Sequence, residues 1–104
     1  MFNIDSLLEK MKQDGTFQEI IKNNPVMTSK DVMTVGCTLP RHQRRANIKW
    51  LEKVGKMLKP EGVWYYEAAD TLFARVGTGW VLLAGGLKEM SDTNPPTFNT
   101  LHKK

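Results

Sequence analysis

The chain has little of what disulfide-bonded, metal-binding or membrane proteins need. It contains one cysteine, Cys37, so no intrachain disulfide can form, and with only His42 and His102 beside it a cysteine/histidine zinc site is not expected. No apolar run approaches the roughly 20 residues that span a bilayer. The opening stretch MFNIDSLLEKMKQDG also lacks a basic segment followed by an apolar one. A reducing, cytoplasmic setting without membrane attachment is the expectation. Catalytic groups are scarce as well. No Ser/His/Asp set can be assembled, the acids show no paired arrangement, and the glycines of VGTGW and AGG do not follow a strand and open a helix as a phosphate loop would. Cys37, five residues from His42, reads as a small residue packed in a turn rather than an activated thiol. The sequence therefore points away from an enzyme, with no catalytic residues, no metal and no cofactor.

What is present suits a single folded domain. Hydrophobic residues are 40% and charged residues 25% of 104, near the globular average and far from the composition of disordered chains. The net charge is +4, but it is not evenly spread. Residues 1–40 and 60–104 each sum to −1, whereas Arg41, Arg44, Arg45, Lys49, Lys53, Lys56 and Lys59 face only Glu52 and give residues 41–59 a balance of +6. Such a local field favours a polyanion or an acidic protein surface as partner.

Periodicity assigns the elements. Ile4, Leu7, Leu8 and Met11 recur at helical spacing, with Asn3 as the cap, and after Gly15 the pattern resumes at Phe17, Ile20 and Ile21 until Asn23, Asn24 and Pro25. This predicts one kinked helix or two short ones over about 3–22. Thr28 or Ser29 caps a short helix over 29–35, which Gly36 stops; Pro40 then opens a long helix to about Lys59 whose inner stripe is Ile48, Leu51, Val54 or Gly55, and Leu58. Arg41, Arg44, Arg45 and Lys49 are left to its other faces. From Gly62 the residues turn β-branched and aromatic. A hairpin of Leu72–Val76 with Trp80–Ala84 is expected around Gly77–Gly79, with Val63–Tyr66 as a third strand, although WYYEAADTLFARV also tolerates a helix. Trp50, Trp64, Trp80, Tyr65 and Tyr66 are expected mainly in the core; if exposed, they suit base stacking. Residues 1–90 thus read as one α+β domain, N-terminal helices and a basic helix followed by a hairpin or small antiparallel sheet. Residues 91–104, with two prolines and little periodicity, read as a flexible tail with the capacity to order on a partner.

The order of short helix, tight turn, basic helix and hairpin in SKDVMTVGCTLPRHQRRANIKWLEKVGKMLKPEGVWYY and its continuation resembles the winged helix-turn-helix superfamily over about residues 28–85. The resemblance implies that the basic helix enters a DNA major groove through its N-terminal half, with Arg41, His42, Arg44, Arg45 and Lys49 facing the groove and 62–85 forming the wing. Arginine forks suit guanine edges and phosphates, Gln43 and Asn47 suit adenine, and Lys53 and Lys56 add field. The expected function is a small nucleic-acid-binding regulator, with DNA favoured over RNA and a homodimer allowed. The alternative is an interaction module that binds an acidic partner surface and modulates or inhibits a larger complex, like the small proteins of compact phage genomes.

Overall fold

A computed structural model describes residues 3–34, 41–58, 62–91 and 93–99. Residues 35–40, which include Val35, Gly36, Cys37 and Pro40, lie outside the described residues, as do Lys59 and His102.

Helix α1 (Ile4–Gln13) starts where Asn3 leaves its oxygen to accept the Ser6 amide at 3.1 Å, satisfying one of the donors a helix start leaves orphaned. It ends at Gly15, whose φ of 84° is open to glycine at no steric cost. Helix α2 (Thr16–Asn23) follows at once, with Asp14 accepting from the Thr16 amide at 2.9 Å. The expected two short helices are therefore found. Asn24 closes α2 by donating to the Ile20 carbonyl at 2.9 Å.

Helix α3 (Ser29–Thr34) begins with a reciprocal cap. Thr28 Oγ1 accepts the Asp31 amide and the Asp31 carboxylate accepts the Thr28 amide, each at 3.1 Å. Helix α4 (Arg41–Met57) is the expected long basic helix, with Leu51 fully buried and Ile48 and Leu58 packed against the same cluster.

The second half is an antiparallel meander in the order β1 (Val63–Tyr66), β2 (Thr71–Val76), β3 (Gly79–Gly85) and β4 (Thr97–Phe98). The short segment that tolerated a helix, Glu67–Ala69, is a single 3-10 turn joining β1 to β2. Between β2 and β3 the two-residue loop places Gly77 at φ 60°, the value a type II′ turn needs at its first central position. A register shift at Leu72/Phe73 pairs Leu72 with Ala84 and Phe73 with Leu82, so Leu83 is the extra residue of a bulge. Leu83 and Ala84 consequently both belong to the same face.

Helices cover both faces of this sheet. Leu72, Ala74, Val81, Leu83 and Ala84 pack with Leu7, Met11, Phe17 and Ile20 of α1 and α2. Tyr66, Phe73 and Trp80 pack on the other side with Val32, Met33 and Leu51 of α3 and α4. A sheet buried on both faces explains why VWYY and TLFARV read as nearly continuous apolar runs instead of alternating with polar residues.

The tail departs from expectation. Thr97–Phe98 pairs with Gly85 and Ala84 as β4, and Asn99 donates from its backbone to the Leu83 carbonyl at 2.9 Å and from its side chain to the Leu82 carbonyl at 2.8 Å. The flexible tail is thus corrected for residues 93–99, because Phe98 packs on the α1/α2 cluster and the exposed edge of β3 needs partners. Met27 occupies the other end of that edge, exchanging two backbone hydrogen bonds with Trp80 at 2.6 and 2.8 Å.

Candidate nucleic-acid interface

Helix α4 packs Leu51 and Ile48, with Leu58 just past its end, against the aromatic side of the sheet and presents its opposite face to solvent. His42, Lys49, Lys53 and Lys56, spaced by seven, four and three residues, share that face, and Arg45 borders it. All five are exposed. At 1.5 Å per residue the ridge from His42 to Lys56 runs about 21 Å. Among the described residues no ion pair engages Arg45, Lys49, Lys53 or Lys56.

The helix places several of its cations at the wrong end for stability. The N-terminus of a helix carries partial positive charge, and cations there are disfavoured by roughly 0.3–1 kcal/mol each. Helix α4 has no acid in its first turn and carries Arg41, Arg44 and Arg45 within its first five residues. The combination concentrates positive potential at this end, the arrangement an anion would neutralise.

The nine residues expected to bind do not share one environment. Arg41 opens α4. Gln43 is exposed on the flank toward Trp50. Asn47 is half-buried and lines a groove, described below, between α4 and β1. Arg44 requires a correction: it is not left to an outer face but is half-buried, with Nε buried and without a hydrogen-bond partner. The reason is spacing, since Arg44, Ile48, Leu51 and Gly55 form one stripe at intervals of four, three and four, and this stripe faces the core. Arg44 and Arg45 line a depression of about 370 Å³ together with Lys30 and Thr34 of α3 and the apolar Met33 and Ile48. Lys30 is therefore a third cation at this end of the ridge, hidden in the sequence because it precedes the basic run by eleven residues.

The other flank of the ridge is apolar. Ala46, Trp50 and Met57 follow one another at helical spacing; Trp50 is 51% and Met57 84% exposed. Trp50 stands over a groove of about 860 Å³ bounded by Asn47, Trp64, Tyr66 and Glu67, among others. Its ring meets that of Trp64 at 5.8 Å and 65°, and Trp64 in turn stacks on Tyr66 at 5.1 Å and 21°. Sequence reasoning placed Trp50 with the core aromatics; its offset of two from Ile48, on the opposite side of the inner stripe, was the available signal to the contrary.

The hairpin contributes little charge to this surface. Its one cation, Arg75, holds its guanidinium 4.8 Å over the Trp80 ring. Trp80 is wholly buried and donates its indole N–H to Ser29 at 3.2 Å. Among the described residues no cluster of three or more His, Cys, Asp or Glu is placed to hold a metal ion, and no helix is long and apolar enough to cross a membrane.

No protein-family model, no curated protein and no solved structure matches this chain.

Proposed function

We propose that the protein is a nucleic-acid-binding regulator that uses the outer face of α4 to contact the phosphate backbone. The observation that carries this reading is the unneutralised ridge of Arg45, Lys49, Lys53 and Lys56, with His42, on one exposed helix face. The arginine and lysines of this row have no ion pair among the described residues to lose when they meet phosphate, and binding releases counterions from the polyanion. Arg44 and Arg45 at the positive end of the helix support the same reading, because cations there are disfavoured and the first turn has no acid to offset them. The winged-helix resemblance remains part of the proposal through its element order, with the hairpin serving packing rather than phosphate contact. A cytoplasmic location and DNA as the preferred polymer belong to this proposal as well.

A second reading, docking to an acidic protein surface, is favoured by the exposure of Met57 and Trp50 beside the ridge. Titration of labelled duplex DNA, single-stranded DNA and RNA at low and raised salt separates the two. Binding that weakens steeply with salt supports nucleic acid. Absence of binding to every polymer at low salt overturns it in favour of the acidic protein partner.

A further inference from the structure

Resting on that nucleic-acid reading, we infer that the ligand is single-stranded, with an unpaired base stacked at Trp50 in the groove between α4 and β1 while its flanking phosphates follow Lys49, Lys53 and Lys56.

Paired DNA offers a protein its phosphates and the edges of its bases, but the base faces are stacked on one another. An exposed indole beside a cationic ridge gives a duplex nothing to stack on. For a single strand the same pairing of features is complete, since backbone-tracking cations combined with aromatic platforms are how such strands are held without dependence on sequence. Trp50 is 51% exposed, and it lies one residue from Lys49 and three from Lys53 on the same helix, so a base on the indole and a phosphate on the lysines are within one helical turn.

The groove has the further parts that a base requires. Trp64 props Trp50 edge-on, and its own ring is fixed by Tyr66 and by Phe73 at 6.2 Å, so the platform is held by the core and does not have to be ordered on binding. Asn47 offers an amide donor and an acceptor, and Glu67 a carboxylate acceptor, both on the walls of the same groove. Those groups can meet the polar edge of a base whose face lies on the indole. An acidic peptide would also complement the lysines, but its carboxylates bring no planar ring to lie on the indole.

The test uses the full chain and three labelled probes: an oligothymidylate, the matching oligouridylate and a mixed-sequence duplex. Trp50→Ala should weaken binding of the single strands about tenfold, the scale of one lost base stack, while leaving duplex affinity unchanged. Trp50→Phe should restore most of the loss, and indole fluorescence of the unsubstituted chain should be quenched by the single strands alone. The two single-stranded arms decide between DNA and RNA. Equal loss on all three probes, or none on any, together with unquenched indole fluorescence, overturns the stacking inference and leaves the phosphate-binding reading standing. Failure of the unsubstituted chain to bind any probe overturns both.

Discussion

At the scale of single residues, two glycines show that a short distance means different things according to which atom must move. A Cβ on Gly79 would lie 2.3 Å from Val26 Cγ1 and 2.6 Å from the Met27 carbonyl oxygen, and that carbonyl is held by its hydrogen bond from Trp80. A Cβ on Gly55 would lie 2.5 Å from the Arg75 guanidinium carbon, the far end of a flexible side chain. Gly79→Ala should therefore destabilise by about 1–3 kcal/mol, as overpacking against fixed backbone does, seen as a fall in Tm. Gly55→Ala gains about 1 kcal/mol of helix propensity and forfeits a cation–π contact of about the same size, so its Tm should hardly move. Thermal unfolding of both variants checks the contrast; a larger loss for Gly55→Ala would mean that Arg75 cannot leave Trp80.

Asp70 is the other residue on which the local structure turns. It occupies the left-handed region at φ 49°, unusual for a side chain with a Cβ, and its carboxylate accepts from Tyr65 Oη at 2.5 Å, from the Leu87 amide at 3.2 Å and from the Lys88 amide at 3.1 Å. These bonds fasten the β1–β2 connection to the exit of β3. Desolvation and the bond to Asp70 push the Tyr65 phenol well above its usual range. A raised folded-state value means that the neutral phenol is favoured by folding. Its contribution is whole below about pH 10, the unfolded value, and declines as pH rises above it. Ultraviolet titration of phenolate absorbance should thus show Tyr65 ionising late in the folded protein. Tyr65→Phe should remove that late step and flatten the loss of stability in alkali; ordinary titration of both tyrosines would contradict the account.

Among the elements, the helices were legible because their signals are local. The Asn3 cap, the α1 and α2 stripes, the Gly15 break and the inner stripe of α4 all follow from residues within a few positions of one another. The hairpin was legible through Gly77 and its flanking apolar runs. What stayed hidden was non-local. No spacing in VWYY or TLFARV says which helices cover which face, and the pairing of Phe98 with Ala84 joins residues whose sequences carry no mutual signal. Arg44 was misplaced for a different reason: its charge suggested solvent, although its spacing to Ile48 and Leu51 marked the inner stripe. Of the candidate site, the basic helix and its exposed lysines were readable, whereas Lys30 and the groove at Trp50 arise only when α3 and β1 pack beside α4. The tail gives the element-scale test. Ending the chain after Pro96 removes β4, the packing of Phe98 and the Asn99 hydrogen bonds to Leu82 and Leu83, and should cost about 2–4 kcal/mol, combining a half-buried aromatic side chain with edge hydrogen bonds. An unchanged Tm after truncation would return residues 93–99 to the status of a loose extension.

At the scale of the whole molecule, α1 and α2 cover one side of the sheet and α3 and α4 the other, leaving the β1 end of the second side open at the groove beside Trp50. The edge at β3 is likewise taken by Met27, β4 and Asn99. Function is thereby directed to the outer surfaces of the helices and to the border of β1, and among these α4 carries the excess charge of the chain. The ridge lies away from the core stripe, so its lysines can be removed without disturbing the packing that Leu51 and Trp80 provide. The most direct measurement is the salt dependence of binding for the unsubstituted chain and for Lys49→Ala combined with Lys53→Ala. With about four phosphates neutralised, log affinity should fall against log salt with a slope of roughly −2.8 for a single strand or −3.6 for a duplex, and the double variant should retain the native Tm while its slope falls by about half. A double variant that binds with the same affinity and the same slope would contradict the assignment of the α4 ridge as the phosphate-contacting surface.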